Sequence, residues 1–100
     1  MKVALFGRHE SPAQHIVWPD GLPDDKMTDY DYMQKSCVQW IDGNVQHSVY
    51  LFVEGFTPAL IAFLKAWDYE ILLHPRYNFQ LTLFHYQPDG SYKSQEWLNL

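Results

Sequence analysis

The stretch from Ser48 to Tyr86 constrains the fold of this chain more than any other part of it. Ser-Val-Tyr-Leu-Phe-Val-Glu over 48–54 is β-branched and aromatic throughout, the composition of a half-buried or buried strand. Gly55-Phe56-Thr57-Pro58 then turns the chain. From Pro58 to Tyr69, Leu60, Phe63, Leu64 and Trp67 recur at helical spacing. Phe79 to Tyr86 reads as a strand again. Strand, helix and strand over this length make a βαβ unit, whose two strands are parallel and whose crossover is right-handed.

The flanks extend the pattern. Lys2 to Gly7 is a short apolar run ended by glycine, a buried strand. Ser11-Pro12 has the form of a helix start, serine as N-cap and proline at the first helical position. That helix is short, because Pro19, Gly21 and Pro23 follow soon after Ile16-Val17-Trp18. Five aspartates (Asp20, Asp24, Asp25, Asp29, Asp31) mark an exposed loop leading to a second helix, from Asp29 to about Ile41, with Thr28 as N-cap. Met33, Cys37, Trp40 and Ile41 form its apolar stripe, and Asp42-Gly43-Asn44 stops it. Residues 70 to 78 fit either a longer helix or a short strand. Pro88-Asp89-Gly90 is a turn, after which Ser91 to Leu98 folds back as an antiparallel edge. The expected fold is α/β: a single domain over 1–100, a small Rossmann-like, mostly parallel sheet with flanking helices and a C-terminal antiparallel hairpin.

Composition narrows the partners. One hundred residues suit one core, and the 17% aromatic content is more than such a core hides, which points to a self-associating face. The formal charge is −5, and no lysine or arginine cluster occurs, which argues against duplex DNA or long RNA. A small anion remains possible, since a few backbone amides hold a phosphate without a basic surface. Cys37 is the single cysteine, so no disulfide or cysteine metal cluster forms within the chain. The longest apolar stretch, Pro58 to Trp67, contains Lys65 and is too short to span a bilayer. The opening apolar run is too short for a secretory signal, and the cytoplasm is the expected compartment.

In open parallel sheets, ligands bind beyond the carboxyl ends of the strands where the chain reverses direction across the sheet. Two loops meet that description: Gly7-Arg8-His9-Glu10-Ser11 and Glu54-Gly55-Phe56-Thr57-Pro58. Arg8 offers a permanent charge and a bidentate grip on phosphate. His9 exchanges a proton near neutral pH. Cleavage of an RNA phosphodiester by its own 2′-hydroxyl needs in-line placement, charge neutralisation and proton transfer, and no obligatory metal. Arg8 and His9 are thus the candidate catalytic pair. Gly7, Ser11, Glu54, Gly55, Phe56 and Thr57 are the candidate substrate-binding residues. Gly55 permits close backbone approach or a positive φ. With Thr57 as N-cap and Pro58 as the first helical residue, the amides of Ala59 and Leu60 face an anion. Glu54 is suited either to a ribose hydroxyl or to solvent. The same residues also fit an ordinary, well-capped strand-to-helix turn and a surface arginine.

No metal or cofactor is expected. His15, His47, His74 and His85 fall on separate elements, and the aspartate spacing departs from a calcium loop. The glycine-rich phosphate loops and the serine elbow are absent.

Arg8-His9-Glu10-Ser11-Pro12-Ala13, following an N-terminal strand, resembles the strand-Arg-His-Pro opening of some small CRISPR-associated proteins. Val53-Glu54-Gly55-Phe56-Thr57-Pro58-Ala59-Leu60 resembles the strand-Gly-x-x-Pro-helix element of the same group. These are minimal Rossmann-like domains related to CARF sensors, among them ring nucleases. The resemblance implies a homodimer that binds cyclic oligoadenylate across its two-fold axis and linearises it without a metal, in type III CRISPR antiviral signalling. Arg8, His9, Ser11, Gly55 and Thr57 are the positions it reaches. Two other functions fit the same sequence. One is a protein that binds or sequesters a nucleotide signal without cleaving it. The other is an interaction module presenting Tyr30, Tyr32, Tyr50, Tyr92 and Trp97.

Overall fold

A computed structural model describes residues 1–7, 11–75 and 78–97. It contains five strands, β1 (Lys2–Ala4), β2 (His15–Ile16), β3 (Val49–Phe52), β4 (Leu81–Tyr86) and β5 (Tyr92–Trp97), with helices α1 (Tyr30–Asn44) and α2 (Thr57–Leu73). The strands form one sheet in the order β2-β1-β3-β4-β5. All neighbours are parallel except β4 and β5, which pair antiparallel. The fold is therefore a small mixed α/β, Rossmann-like arrangement with a C-terminal antiparallel pair.

The main departure from the sequence reading lies between residues 11 and 18. Ser11 does accept a bond from the amide of Ala13, 3.3 Å, as a helix cap would. No helix follows. Ile16-Val17-Trp18 is β-branched and aromatic, and Pro19 leaves too little chain for a helix to repay its nucleation. The segment instead lies along β1: the Gln14, Val17 and Trp18 amides donate to the carbonyls of Lys2, Ala4 and Leu5.

The other departures are boundary shifts. Asp29, and not Thr28, caps α1, its carboxylate accepting from the Tyr32 amide at 3.0 Å. Asp42-Gly43-Asn44 completes α1 rather than stopping it. Residues 70–73 extend α2, so the ambiguous segment is helix up to Leu73. At the β4–β5 turn Gly90 takes φ +89°, and the Asp89 carboxylate accepts from both the amide and the hydroxyl of Ser91.

The crossovers β2→β3 and β3→β4 move the chain in the same direction across the sheet. Right-handed crossovers then place α1 and α2 on the same face. The core shows this: Val3, Leu5, Val49, Leu51, Leu81 and Leu83 alternate along their strands and pack with Met33, Cys37 and Ile41 of α1 and Ala59, Phe63 and Trp67 of α2. Trp97 locks the edge strand to this layer, its Nε1 donating to Asp68 of α2 at 2.8 Å.

The remaining strand positions face away from the helices. Register aligns them in rows: Lys2, Tyr50, Thr82 and Glu96, then Ile16, Ala4, Phe52, Phe84 and Ser94, then Tyr86 and Tyr92. Phe52 stacks on Phe84 at 5.1 Å, and Tyr50 and Tyr92 meet them edge-on. Among the described residues no helix covers this face, and none is long and apolar enough to cross a membrane.

Candidate functional site

The chain steps from β1 to one side, into β2, and then back past β1 to β3. The reversal lies between β1 and β3, and the crevice beyond their carboxyl ends is the expected ligand position. The two loops singled out from sequence do converge there. The Glu54 carboxylate, following β3, accepts from the amides of Phe6 (2.9 Å) and Gly7 (3.2 Å), following β1. Gly7 has φ +67°, a left-handed conformation that turns its N–H towards the carboxylate and that L side chains adopt at a cost.

A cavity of about 550 Å³ opens beside this link, lined by Ser11, Phe52, Val53, Glu54, Gly55, Tyr86 and Tyr92. That volume lies in the range of small-molecule sites. Its wall is aromatic. Tyr92 stands edge-on to Phe52 (ring centroids 5.1 Å apart) and to Tyr86 (5.5 Å), and the Tyr86 side of the wall is open to solvent. Flat rings at an open rim are surfaces on which a nucleobase stacks.

Of the eight candidate residues, Ser11, Glu54 and Gly55 border the cavity. Gly7 contributes through its amide bond to Glu54. Gly55 does not take a positive φ, and a Cβ there would meet open space, so neither backbone conformation nor close packing requires glycine at this position of the cavity wall. Phe56 is the N-cap of α2 and its ring packs edge-on against Phe6, 6.1 Å away, as part of the core wall. Thr57 is the first helical residue instead of the cap, and its side chain makes no capping bond. The shift by one residue follows from Phe56, whose packing against the core fixes where the helix begins. Thr57 borders a different hollow, with Tyr30, Pro58, Ile61 and Lys65, so Ser11 and Thr57 do not line one cavity. Arg8 and His9 lie outside the described residues.

One cluster escaped the sequence reading. Ligand-type atoms of Asp42, Glu70 and His74 all lie within 4.8 Å of one another. Glu70 is 5% exposed, and its Oε2 is 3.5 Å from His74 Nε2. Burial, then the negative charge of Asp42, raises the Glu70 carboxyl above its ordinary range, while His74 opposes the shift. Glu70 and His74 are an i, i+4 pair, a signal visible only once α2 runs past Tyr69. Because α2 starts at the crevice and runs back along the strands, its last turn lies at the far end of the molecule.

Compared with known proteins, the chain matches no family model, no curated protein and no solved structure.

Proposed function

We propose that this domain binds a nucleotide in the crevice between β1 and β3, and that the ligand is a cyclic oligoadenylate which Arg8 and His9 help to cleave. The observation that carries the binding part is the aromatic cavity of about 550 Å³ at the strand reversal, with Tyr86 and Tyr92 on its rim. Adenine rings stack on such side chains with little regard for register, at about 1–3 kcal/mol per base. Arg8 and His9 follow Gly7 directly in the chain. In the cleavage step the ribose 2′-hydroxyl attacks the adjacent phosphorus as the bond from that phosphorus to the 5′-oxygen of the next nucleotide breaks, opening the ring to a 2′,3′-cyclic phosphate end and a 5′-hydroxyl end. Arg8 neutralises the phosphate, and His9 takes the proton of the 2′-hydroxyl and delivers a proton to the leaving 5′-oxygen.

A second reading, binding without cleavage, has its own support. Glu54 already occupies the two amides at the end of β1, and Thr57 borders another hollow, so the described residues supply no preformed phosphate cradle. One experiment separates the readings: the pure protein is incubated with cyclic tetra-adenylate in EDTA, with melting temperature and products followed together. A rise of a few degrees with linear product that Arg8→Ala abolishes supports the nuclease. A rise without product supports the binder. No rise with cyclic or linear oligoadenylates removes both. Tyr86→Ala, at an exposed position, weakens binding about tenfold in either case.

A further inference from the structure

The last turns of α1 and α2 meet at the end of the molecule remote from the crevice, and we infer that Asp42, Glu70 and His74 bind one divalent transition-metal ion there, with zinc the best match. This inference is independent of the nucleotide reading, whose own test is run in EDTA.

The three side chains offer the donors such an ion takes. Their ligand-type atoms lie within 4.8 Å of one another, and one edge of the group, Glu70 Oε2 to His74 Nε2, is 3.5 Å long. Two donors bound at about 2.0–2.2 Å with a tetrahedral angle between them stand roughly 3.3–3.6 Å apart. Glu70 and His74 therefore already have the separation of two ligands on one ion. They share a face of α2, and Asp42 comes from α1, so the ion ties the two helices together at their ends. One imidazole with two carboxylates suits zinc and its transition-metal neighbours, whereas magnesium and calcium prefer shells of oxygen alone. Asp42 is exposed, which gives an ion its way in from solvent.

Two further observations point to a cation. The first is charge. The C-terminal end of a helix carries partial negative charge, which lysine or arginine in the last turn commonly offsets. Neither α1 nor α2 has a basic residue in its last turn, and Asp42 and Glu70 add two carboxylates at the same place. A protonated His74 still leaves the cluster with one net negative charge, whereas a divalent ion bound by neutral His74 leaves none. The second is an orphaned donor. Trp67 is 1% exposed, and among the described residues its Nε1 has no hydrogen-bond partner. Asp42, Trp67 and Glu70 line one small hollow of about 10 Å³, enclosed otherwise by apolar side chains. That is room for about one water. A water there accepts from Trp67 Nε1 and donates to a carboxylate, the outer bond that metal-ligating carboxylates ordinarily have.

The test is isothermal titration calorimetry of the whole chain, stripped with EDTA and dialysed, against zinc chloride at about pH 7. Wild type takes up one ion per chain in the micromolar range. Its melting temperature rises by about 10 °C when free zinc is about a hundred times Kd. Magnesium and calcium at the same concentrations give neither heat nor a shift. Asp42→Asn and His74→Gln each weaken zinc binding at least tenfold, the least that loss of even an outer-shell partner costs. His47→Gln, at an exposed position outside the cluster, leaves it unchanged. Because Asp42 is exposed, D42N keeps the wild-type circular dichroism in EDTA, so its loss of affinity reads the site and not the fold. No uptake of zinc, uptake that D42N or H74Q leaves unchanged, or an equal response to magnesium overturns the inference. An equal loss in H47Q marks adventitious surface binding and overturns it too.

Discussion

At the scale of single residues, side-chain chemistry decided which of two neighbours would act. Thr28 and Asp29 are both competent caps, and Asp29 takes the position, its carboxylate bonded to the Tyr32 amide and 3.5 Å from Lys26. That amide, foremost, holds the Asp29 carboxyl below its ordinary range. A depressed folded value means the contribution is present above the unfolded pKa of about 3.9 and is lost as pH falls below it. Asp29→Ala therefore lowers the melting temperature at pH 7 by about 3–8 °C. Asp29→Asn, which still caps, stays closer to wild type and loses the Asp29 share of the acid pH dependence, leaving that of Asp89, which Ser91 also holds below its ordinary range. Cys37 is the second case. Burial pushes its thiol up to about 12. At pH 8 a thiol reagent labels the folded protein only as fast as the helix opens, and labels the urea-unfolded chain at once.

At the scale of elements, patterning read the regular pieces and failed where pairing outweighed local signals. Of the apolar stripe Met33, Cys37, Trp40 and Ile41, all but Trp40 are buried, and Trp40 packs half-buried against the core. The β-branched and aromatic run over 48–54 and the strand expected over 79–86 became β3 and β4, and the returning edge from Ser91 became β5. The Ser11-Pro12 signal failed because cap chemistry is local, whereas β2 pairs with β1 about a dozen residues earlier and its flanks add bonds from the Gln14, Val17 and Trp18 amides to the same stretch. The crevice depends on such a long-range link too. Glu54→Ala removes the acceptor of the Phe6 and Gly7 amides and destabilises by about 1–3 kcal/mol in urea titration, and Glu54→Gln, which keeps one carbonyl oxygen, costs less than that.

At the scale of the whole molecule, two helices on one face leave an aromatic face on the other and bring acidic groups together at the end remote from the crevice. Glu70 is the clearest consequence. Its folded pKa is raised, so its ionised form is disfavoured in the native state, and stability falls as pH rises from the unfolded value of about 4.3 through the folded one. Glu70→Gln raises the melting temperature at pH 7–8, and the gain shrinks towards pH 4, where the wild-type carboxyl becomes mostly protonated in both states. A scan of both proteins from pH 4 to 8 measures the difference. No gain at pH 8 would show that His74 fully offsets the burial.

What the sequence determined by itself was every strand and helix but β2, their apolar faces and the class of sheet, because hydrophobic period and turn chemistry act over a few residues. It also placed Ser11, Glu54 and Gly55 at strand ends, where parallel sheets hold their ligands. Only the tertiary structure decided that Glu54 would clip the end of β1, that Tyr86 and Tyr92 would wall the cavity and that Thr57 would turn to another hollow. Those outcomes depend on register and on which face each helix takes. Register joins residues about fifty positions apart, such as Lys2 and Tyr50, and no local pattern encodes the pairing.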